Sequence, residues 1–383
     1  MSECYDNTES LLRARQPDLP VYCVYPDVYR DAGEHFVAGF PGRVLYAVKA
    51  NNHPLVISAL ISAGIEHFDC ASTQEIELVK SLCPEATCYL MNPVRLPGDA
   101  RRAQQEFGTR HLMVDHLSGI APLIDEIDAS KSIIFARMAV SHHSAMANLS
   151  SKFGAPPGDI PEILQAIRKT GAEAALAFNV GAVVTEPEAY TYAMGLAREA
   201  LEATPFPIRL LDIGGGFPRP YPGFIVPPLD EFFAAIRGSR HELPLGEGSV
   251  VMAEPGRGLC APGMSTITKV LLRKEDRVYL NDGMYGAFWE LRFKGHLRYP
   301  ARAYRGHEPL DGNLHSFRLF GPTCDSSDEM PGSVELPADI DVGDYIEFGS
   351  MGAYSLSGRT NFNGFHSEHV VTISGKGSTP PGR

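Results

Sequence analysis

The chain predicts an α/β fold, an eight-stranded parallel (β/α)8 barrel followed by a smaller domain of mostly β structure. Three observations carry that expectation. Eight short apolar runs alternate with helical patterns, at 43–50, 67–72, 87–92, 111–115, 132–140, 175–180, 209–216 and 249–256. Polar or charged residues stand near the ends of most runs: Lys49, Asp69, Arg137, Asn179, Gly214 and Glu254. After Met264 the texture changes to strand-like runs separated by Gly, Pro and Asp. Near-continuous apolar strands linked by helices are the pattern of a parallel sheet covered on both faces, and such barrels build their sites at the carboxyl ends of the strands.

The elements follow in order. Residues 1–20 are polar and read as a cap or loose arm, and 21–25 reads as a short strand. Helical patterns occupy 54–63, 73–81, 97–107, 117–127, 160–170, 186–203 and 229–237. The last βα segment, 259–263, is short and holds Pro262. Segment 141–158 is long and polar for a βα loop and reads as either a mobile active-site loop or a disordered bulge. Strand patterns then cover 265–272, 277–281, 315–321, 344–349 and 368–374. The resulting division is an arm and strand joining the β-domain at 1–25, a barrel at 26–263, a β-domain at 264–374 and a disordered tail at 375–383.

Composition narrows the function classes. With 383 residues, 44% hydrophobic and 21% charged, the chain reads as an ordinary globular protein. A net charge of −12 argues against a nucleic-acid partner, since phosphate binding needs a basic face. No apolar run approaches the ~20 residues of a membrane helix. The acidic start, Met1-Ser-Glu-Cys-Tyr-Asp, lacks the apolar core of a secretory signal. Seven scattered cysteines without a CxxC read as reduced thiols, so a cytoplasmic location is expected.

Three strand ends carry recognisable chemistry. In Tyr46-Ala-Val-Lys49 a lysine closes an apolar run, where burial disfavours its charged form and makes the amine an imine-forming nucleophile. A snorkelling surface lysine is the plainer alternative. In Asp212-Ile-Gly214-Gly215-Gly216-Phe-Pro218 three glycines let backbone N–H groups converge on a phosphate. A tight strand exit would look the same, but barrel phosphate sites favour the loops after strands seven and eight. In Ala253-Glu254-Pro-Gly-Arg257 the two charges could form a surface pair. The sharper reading sets Glu254 on a pyridine nitrogen and Arg257 on a phosphate. Together these point to pyridoxal 5'-phosphate.

These motifs, with Phe68-Asp69-Cys-Ala-Ser72, resemble the fold type III pyridoxal-phosphate decarboxylases, whose barrel is of the alanine-racemase type. Within the wider family, which also includes diaminopimelate decarboxylases, Asn281-Asp-Gly-Met-Tyr-Gly-Ala-Phe288, Gly321-Pro-Thr-Cys324-Asp325, Gly352-Ala-Tyr354 and Phe362-Asn-Gly-Phe365 bring the chain nearest the ornithine/lysine decarboxylase branch. The resemblance implies a homodimer with active sites at the interface, and a role in polyamine biosynthesis. It implies that Lys49 holds the cofactor as an imine. Gly214, Gly215, Gly216, Arg257 and Tyr354 would bind its phosphate, and Glu254 its ring nitrogen. Asp69 and Arg137 would support the lysine and ring, and Lys152 would lie in the mobile loop. Cys324 would sit over the substrate Cα and, with Asp325, enter from the partner subunit. The bland reading of Cys324 is a small buried hydrophobe.

The chain departs from the family pattern at three places. Asn179 stands where the family has a ring-stacking histidine, and Ala182 where it has a phosphate-binding serine. In the register from Tyr285, Phe293-Lys294 replaces a Tyr-Asp pair whose acid holds the distal ammonium of a diamine precursor. A cation at Lys294, aided by Arg292 and with Asp325 as a second acid, predicts a substrate whose distal end is a carboxylate or other acceptor. Two further readings stand beside a decarboxylase: a catalytically silent regulator of antizyme-inhibitor type, and an amino-acid racemase. Racemases of this type place an arginine at the pyridine nitrogen, so Glu254 argues against the latter. A small barrel-only cofactor carrier would lack the β-domain. No metal is expected, with His142, His143, His366 and His369 read as solvated or structural.

Overall fold

A computed structural model describes residues 3–293 and 297–382. Eight parallel strands close into a barrel: β1 (Arg43–Ala47), β2 (His67–Cys70), β3 (Thr87–Leu90), β4 (His111–Val114), β5 (Ile133–Met138), β6 (Glu173–Phe178), β7 (Ile208–Asp212) and β8 (Leu245–Ala253). β8 pairs with β1 through Met252–Arg43 and Ala253–Val44, which seals the ring. Both faces of the strands are apolar because both are buried. Leu45, Tyr89, Met91, Met113, Phe135, Ala177 and Met252 fill the interior. Val44, Tyr46, Phe68, Leu90, Leu112, Ile134 and Leu176 pack outward against the helices.

Several boundaries differ from the sequence expectation. β1 stops at Ala47, and Val48–Ala50 form a 3-10 turn, so Lys49 stands on a turn rather than on the strand. β8 begins four residues before the expected run, and β7 ends at Asp212, before the glycines. The sequence pattern missed the helix Pro26–Gly39, because Gly33 and the acidic residues interrupt its apolar spacing. Pro26 opens it at N1, and Phe36 buries edge-on against Phe217 and Phe233 at 5.5 and 5.3 Å. At Gly33 a methyl group would lie 2.6 Å from the Ala63 Cβ, so the next helix can approach only a glycine. The pattern at 117–127 resolves into a 3-10 turn, Leu117–Gly119, and a short helix, Ile120–Ile124.

The N-terminal segment is not a loose arm. Asn7 caps the helix Thr8–Arg15 through a reciprocal bond with Ser10, and Leu11 and Leu12 are buried. The strand Val21–Val24 pairs antiparallel with β9 (Met264–Lys274) and parallel with Val370–Ile373. β9 organises the β-domain, since it also pairs with Arg277–Leu280 and Tyr345–Phe348. Strands Ala301–Arg305 and Val334–Pro337 were not anticipated. In this sheet Glu347 is fully buried and accepts hydrogen bonds from Tyr25 at 2.7 Å, Ser265 at 2.6 Å and Tyr304 at 3.0 Å. The expected disordered tail is instead seated. The Ser378 hydroxyl donates to the Asp6 carbonyl at 2.7 Å, and Pro380 and Pro381 are buried. Segment 141–158 is ordered in part: Ala145–Ala147 pairs antiparallel with Ala182–Val184.

Candidate active site

A cavity of about 430 Å3 opens at the carboxyl end of the barrel, between the strand ends and the β-domain. Lys49, Arg137, Asn179, Ala182, Gly215, Gly216, Glu254, Arg257 and Tyr354 all line it, gathered from distant parts of the sequence. The 3-10 turn after β1 aims Lys49 inward, and its Nζ donates to Asp69 Oδ2 at 2.8 Å. Asp69 is buried at the end of β2, while half of the Lys49 side chain remains reachable from the cavity. Burial opposes the Lys49 charge, but Asp69, Glu254 and Tyr354 outweigh it and hold the ammonium above its ordinary range. The sequence reading, which took burial to lower it, is corrected by these neighbours.

Opposite the lysine, Glu254 closes β8. Its Oε1 is buried and has no hydrogen-bond partner among the described residues. Burial raises its carboxyl well above the usual range, and Asp212 and Asp69 add to that, against Lys49 and Arg137. Asp212, at the end of β7, is a site residue that sequence reasoning passed over. Burial pushes its carboxyl up to about 7, opposed by the Gly214 N–H at 2.8 Å, and its Oδ2 also lacks a partner. Its position at a strand end just before the glycines was the available signal. Glu254 lines the cavity with Asp212 buried next to it, and two neighbouring buried acids favour a bound cation or proton there.

The glycines let three strand ends converge. Gly214 and Gly216 adopt φ of +70° and +102°. A methyl group at Gly214 would lie 2.5 Å from the Phe178 carbonyl oxygen, and one at Gly215 would lie 2.7 Å from that of Glu254. The nest is braced by the Tyr190 hydroxyl on the Gly215 carbonyl at 2.9 Å. Gly214 itself is packed behind the cavity wall. Asn179 Oδ1 accepts from the Gly181 N–H at 2.9 Å and braces the turn after β6. Arg137 lies over the Phe153 ring at 5.4 Å, and Lys152 over the same ring at 4.6 Å. Tyr354 holds φ +65°, with its N–H on the Ala50 carbonyl at 2.7 Å. Arg257 is buried, donates to the Tyr221 hydroxyl at 2.8 Å and forms an ion pair with Glu290. Glu290 and Trp289 line the cavity without having been anticipated, and Phe293, which replaces the tyrosine of the family's Tyr-Asp pair, lines it as well.

Cys324 and Asp325 do not line this cavity. Cys324 is exposed, 3.4 Å by its Sγ from Asn363 Oδ1. Asp325 accepts from the Tyr285 hydroxyl and from the Ser327 N–H at 2.8 Å. The Tyr285 bond, the Ser327 bonds and the Arg292 charge hold its carboxyl below the usual range. The Arg292 guanidinium lies 3.9 Å over the Tyr285 ring. Lys294 lies outside the described residues. Away from the cavity, His142, His143 and Glu186 bring potential metal-ligating atoms within 4.8 Å of one another, a grouping the sequence did not disclose. No helix among the described residues is long and apolar enough to cross a membrane.

The profile of the pyridoxal-dependent decarboxylase, pyridoxal binding domain, matches residues 29–261. The chain belongs to the pyridoxal-dependent decarboxylase family. The decarboxylase flvG of Aspergillus flavus is 33% identical over 343 residues, which cover 84% of this chain and 78% of that protein. Antizyme inhibitor 2 of Xenopus laevis is 32% identical over 356 residues, 85% of this chain and 74% of that one. The lysine/ornithine decarboxylase of Vibrio vulnificus, solved with putrescine, superposes with a TM-score of 0.80 at 30% identity, covering 92% of this chain and 94% of that one. The cavity lies among residues of the matched domain, and its lining fits a pyridoxal group at one end. An amine stands at Lys49, and an unpartnered buried acid stands at Glu254.

Proposed function

We propose that this protein is a pyridoxal-phosphate-dependent amino-acid decarboxylase that releases CO2 and an amine. One observation carries the reading: Lys49 Nζ, hydrogen-bonded to Asp69, shares a cavity with a Glu254 oxygen that has no partner. Bound pyridoxal phosphate supplies an aldehyde that condenses with amines and a conjugated ring that takes up the electron pair left by departing CO2. This chain's residues supply the rest. Lys49 provides the tethering amine, and Asp69 Oδ2 orients it through one hydrogen bond. Glu254 Oε1 would hold a proton on the ring nitrogen, and Asp212 next to it leaves that corner rich in acceptors and short of donors. The Gly215 and Gly216 segment, Tyr354 and Arg257 hold the phosphate. The β-domain and the Ala145–Ala147 strand wall the cavity from water.

Cys324 and Asp325 act in the cavity of a second copy, in a homodimer. At the distal end of the substrate the chain differs from a diamine-forming enzyme. Asp325 is already engaged by Tyr285 and neighboured by Arg292, and Lys294 adds a cation in sequence. The substrate therefore carries a distal carboxylate or other acceptor. Purified protein loaded with pyridoxal phosphate is expected to show the absorbance of a protein-bound imine, abolished by borohydride or by Lys49→Ala. Mass spectrometry of products from ornithine, lysine, glutamate and carboxylated polyamines is expected to find amines from the acidic candidates. Efficient ornithine turnover would overturn the substrate assignment.

A second reading is a non-catalytic regulator. Its support is the likeness to antizyme inhibitor 2, with Asn179, Ala182 and the Arg257–Glu290 pair at the phosphate end. Under that reading the imine absorbance is absent and no substrate in the panel releases CO2.

A further inference from the structure

The two ends of the cavity differ in how their charges are matched. At the ring end the Glu254 Oε1 keeps an unfilled acceptor. At the other end the Arg257 charge is already neutralised. The Arg257 and Glu290 side chains are only 6% and 5% exposed, they pair directly, and both line the cavity. Tyr221 takes another Arg257 donor at 2.8 Å, and the Tyr299 hydroxyl points to Glu290 Oε2 at 3.5 Å. A buried pair of this kind is costly to break, because the charge left behind has lost its water. A second anion brought to Arg257 must displace the Glu290 carboxylate or sit beside it, and like charges in a dry pocket repel strongly. Ala182, in the same wall, offers no hydroxyl to offset that.

We propose that Glu290 is the resident counter-ion of Arg257, that it competes with the cofactor's phosphate group for this guanidinium, and that it lowers the chain's preference for phosphorylated over unphosphorylated pyridoxal. The inference rests on the reading of the cavity as a pyridoxal site. It makes Glu290 a determinant of cofactor selectivity.

The test has a built-in reporter. Trp289 is the single tryptophan of the chain and lines the cavity. Cofactor-stripped full-length protein is titrated with pyridoxal 5'-phosphate and, separately, with pyridoxal, following Trp289 fluorescence and imine absorbance. The unchanged chain is expected to bind the two within roughly tenfold of each other. Glu290→Gln is expected to tighten the phosphorylated ligand by about tenfold or more, ~1.4 kcal/mol, and to leave pyridoxal nearly unchanged. Glu290→Asp keeps the charge and is expected to stay near the unchanged ratio. Binding of both ligands with the same ratio in Glu290→Gln overturns this inference alone. Should that variant not fold, the unchanged chain decides, and a phosphate advantage of about a thousandfold or more, ~4 kcal/mol, overturns it. Failure of both ligands to perturb Trp289 and to give an imine band overturns the pyridoxal reading and this inference with it.

Discussion

Among single residues, Asp212 gives the clearest pH signature. In the unfolded chain its carboxyl titrates near 3.8, and in the fold burial pushes it up to about 7. Between those values the folded state binds more protons, so stability of the cofactor-free protein falls as pH rises through that window. Asp212→Asn is expected to flatten the fall, which thermal unfolding at pH 4, 5.5 and 7.5 would read; a slope equal to that of the unchanged protein would refute the assignment. Lys49, Asp69, Glu254 and Arg257 were legible in the sequence because each stands at or just after a strand end, where barrels place chemistry. Asp212 and Glu290 were not. Asp212 reads as an ordinary acid before a turn, and Glu290 acquires meaning only when the fold sets Arg257, thirty-three residues earlier, against it.

Among elements, the glycine turn after β7 is where backbone conformation and packing act together. A side chain at Gly214 would face both a left-handed φ of +70° and a carbonyl oxygen at 2.5 Å. Gly214→Ala is expected to cost about 1–3 kcal/mol in denaturant unfolding and to loosen cofactor retention. Gly238, inside the helix Leu229–Arg240, has nothing within 4 Å of an added methyl group and no positive φ. Gly238→Ala is expected to stabilise by about 0.4–1 kcal/mol, and a loss there would contradict the contrast. The strands were legible because burial on both faces makes each an apolar run. Their ends were less so. The turn that carries Lys49 continues the apolar run of β1, and hydrogen bonding alone separates the two. The helix Pro26–Gly39 and the capped helix Thr8–Arg15 were lost to polar composition, although the tertiary contacts of Phe36 and Leu11 hold them in place.

For the whole molecule, Cys324 and Asp325 stand outside the cavity of their own chain, and in the proposed homodimer they would serve the cavity of a second copy. Protomers carrying Lys49→Ala and protomers carrying Cys324→Ala are each expected to be impaired. Mixed and allowed to exchange, they are expected to recover about a quarter of full activity, since half the dimers are mixed and each holds one intact site. No recovery, with exchange verified by labelled subunits, would refute the shared site. The barrel and the presence of a β-domain were legible from alternation and from the change of texture after Met264. The way the two chain ends meet was not, because pairing between residues more than three hundred positions apart leaves no local periodicity. That pairing has a further consequence. Tyr22 lies beside Val370 and Cys23 beside Val371. During synthesis the barrel segments emerge and can condense while the early strand still waits, one edge unsatisfied, for a complement made about 350 residues later. Completion of the β-domain thereby waits on the segment at Val370, and a nascent polypeptide stalled before it would carry that open edge as a site for chaperone capture or aggregation.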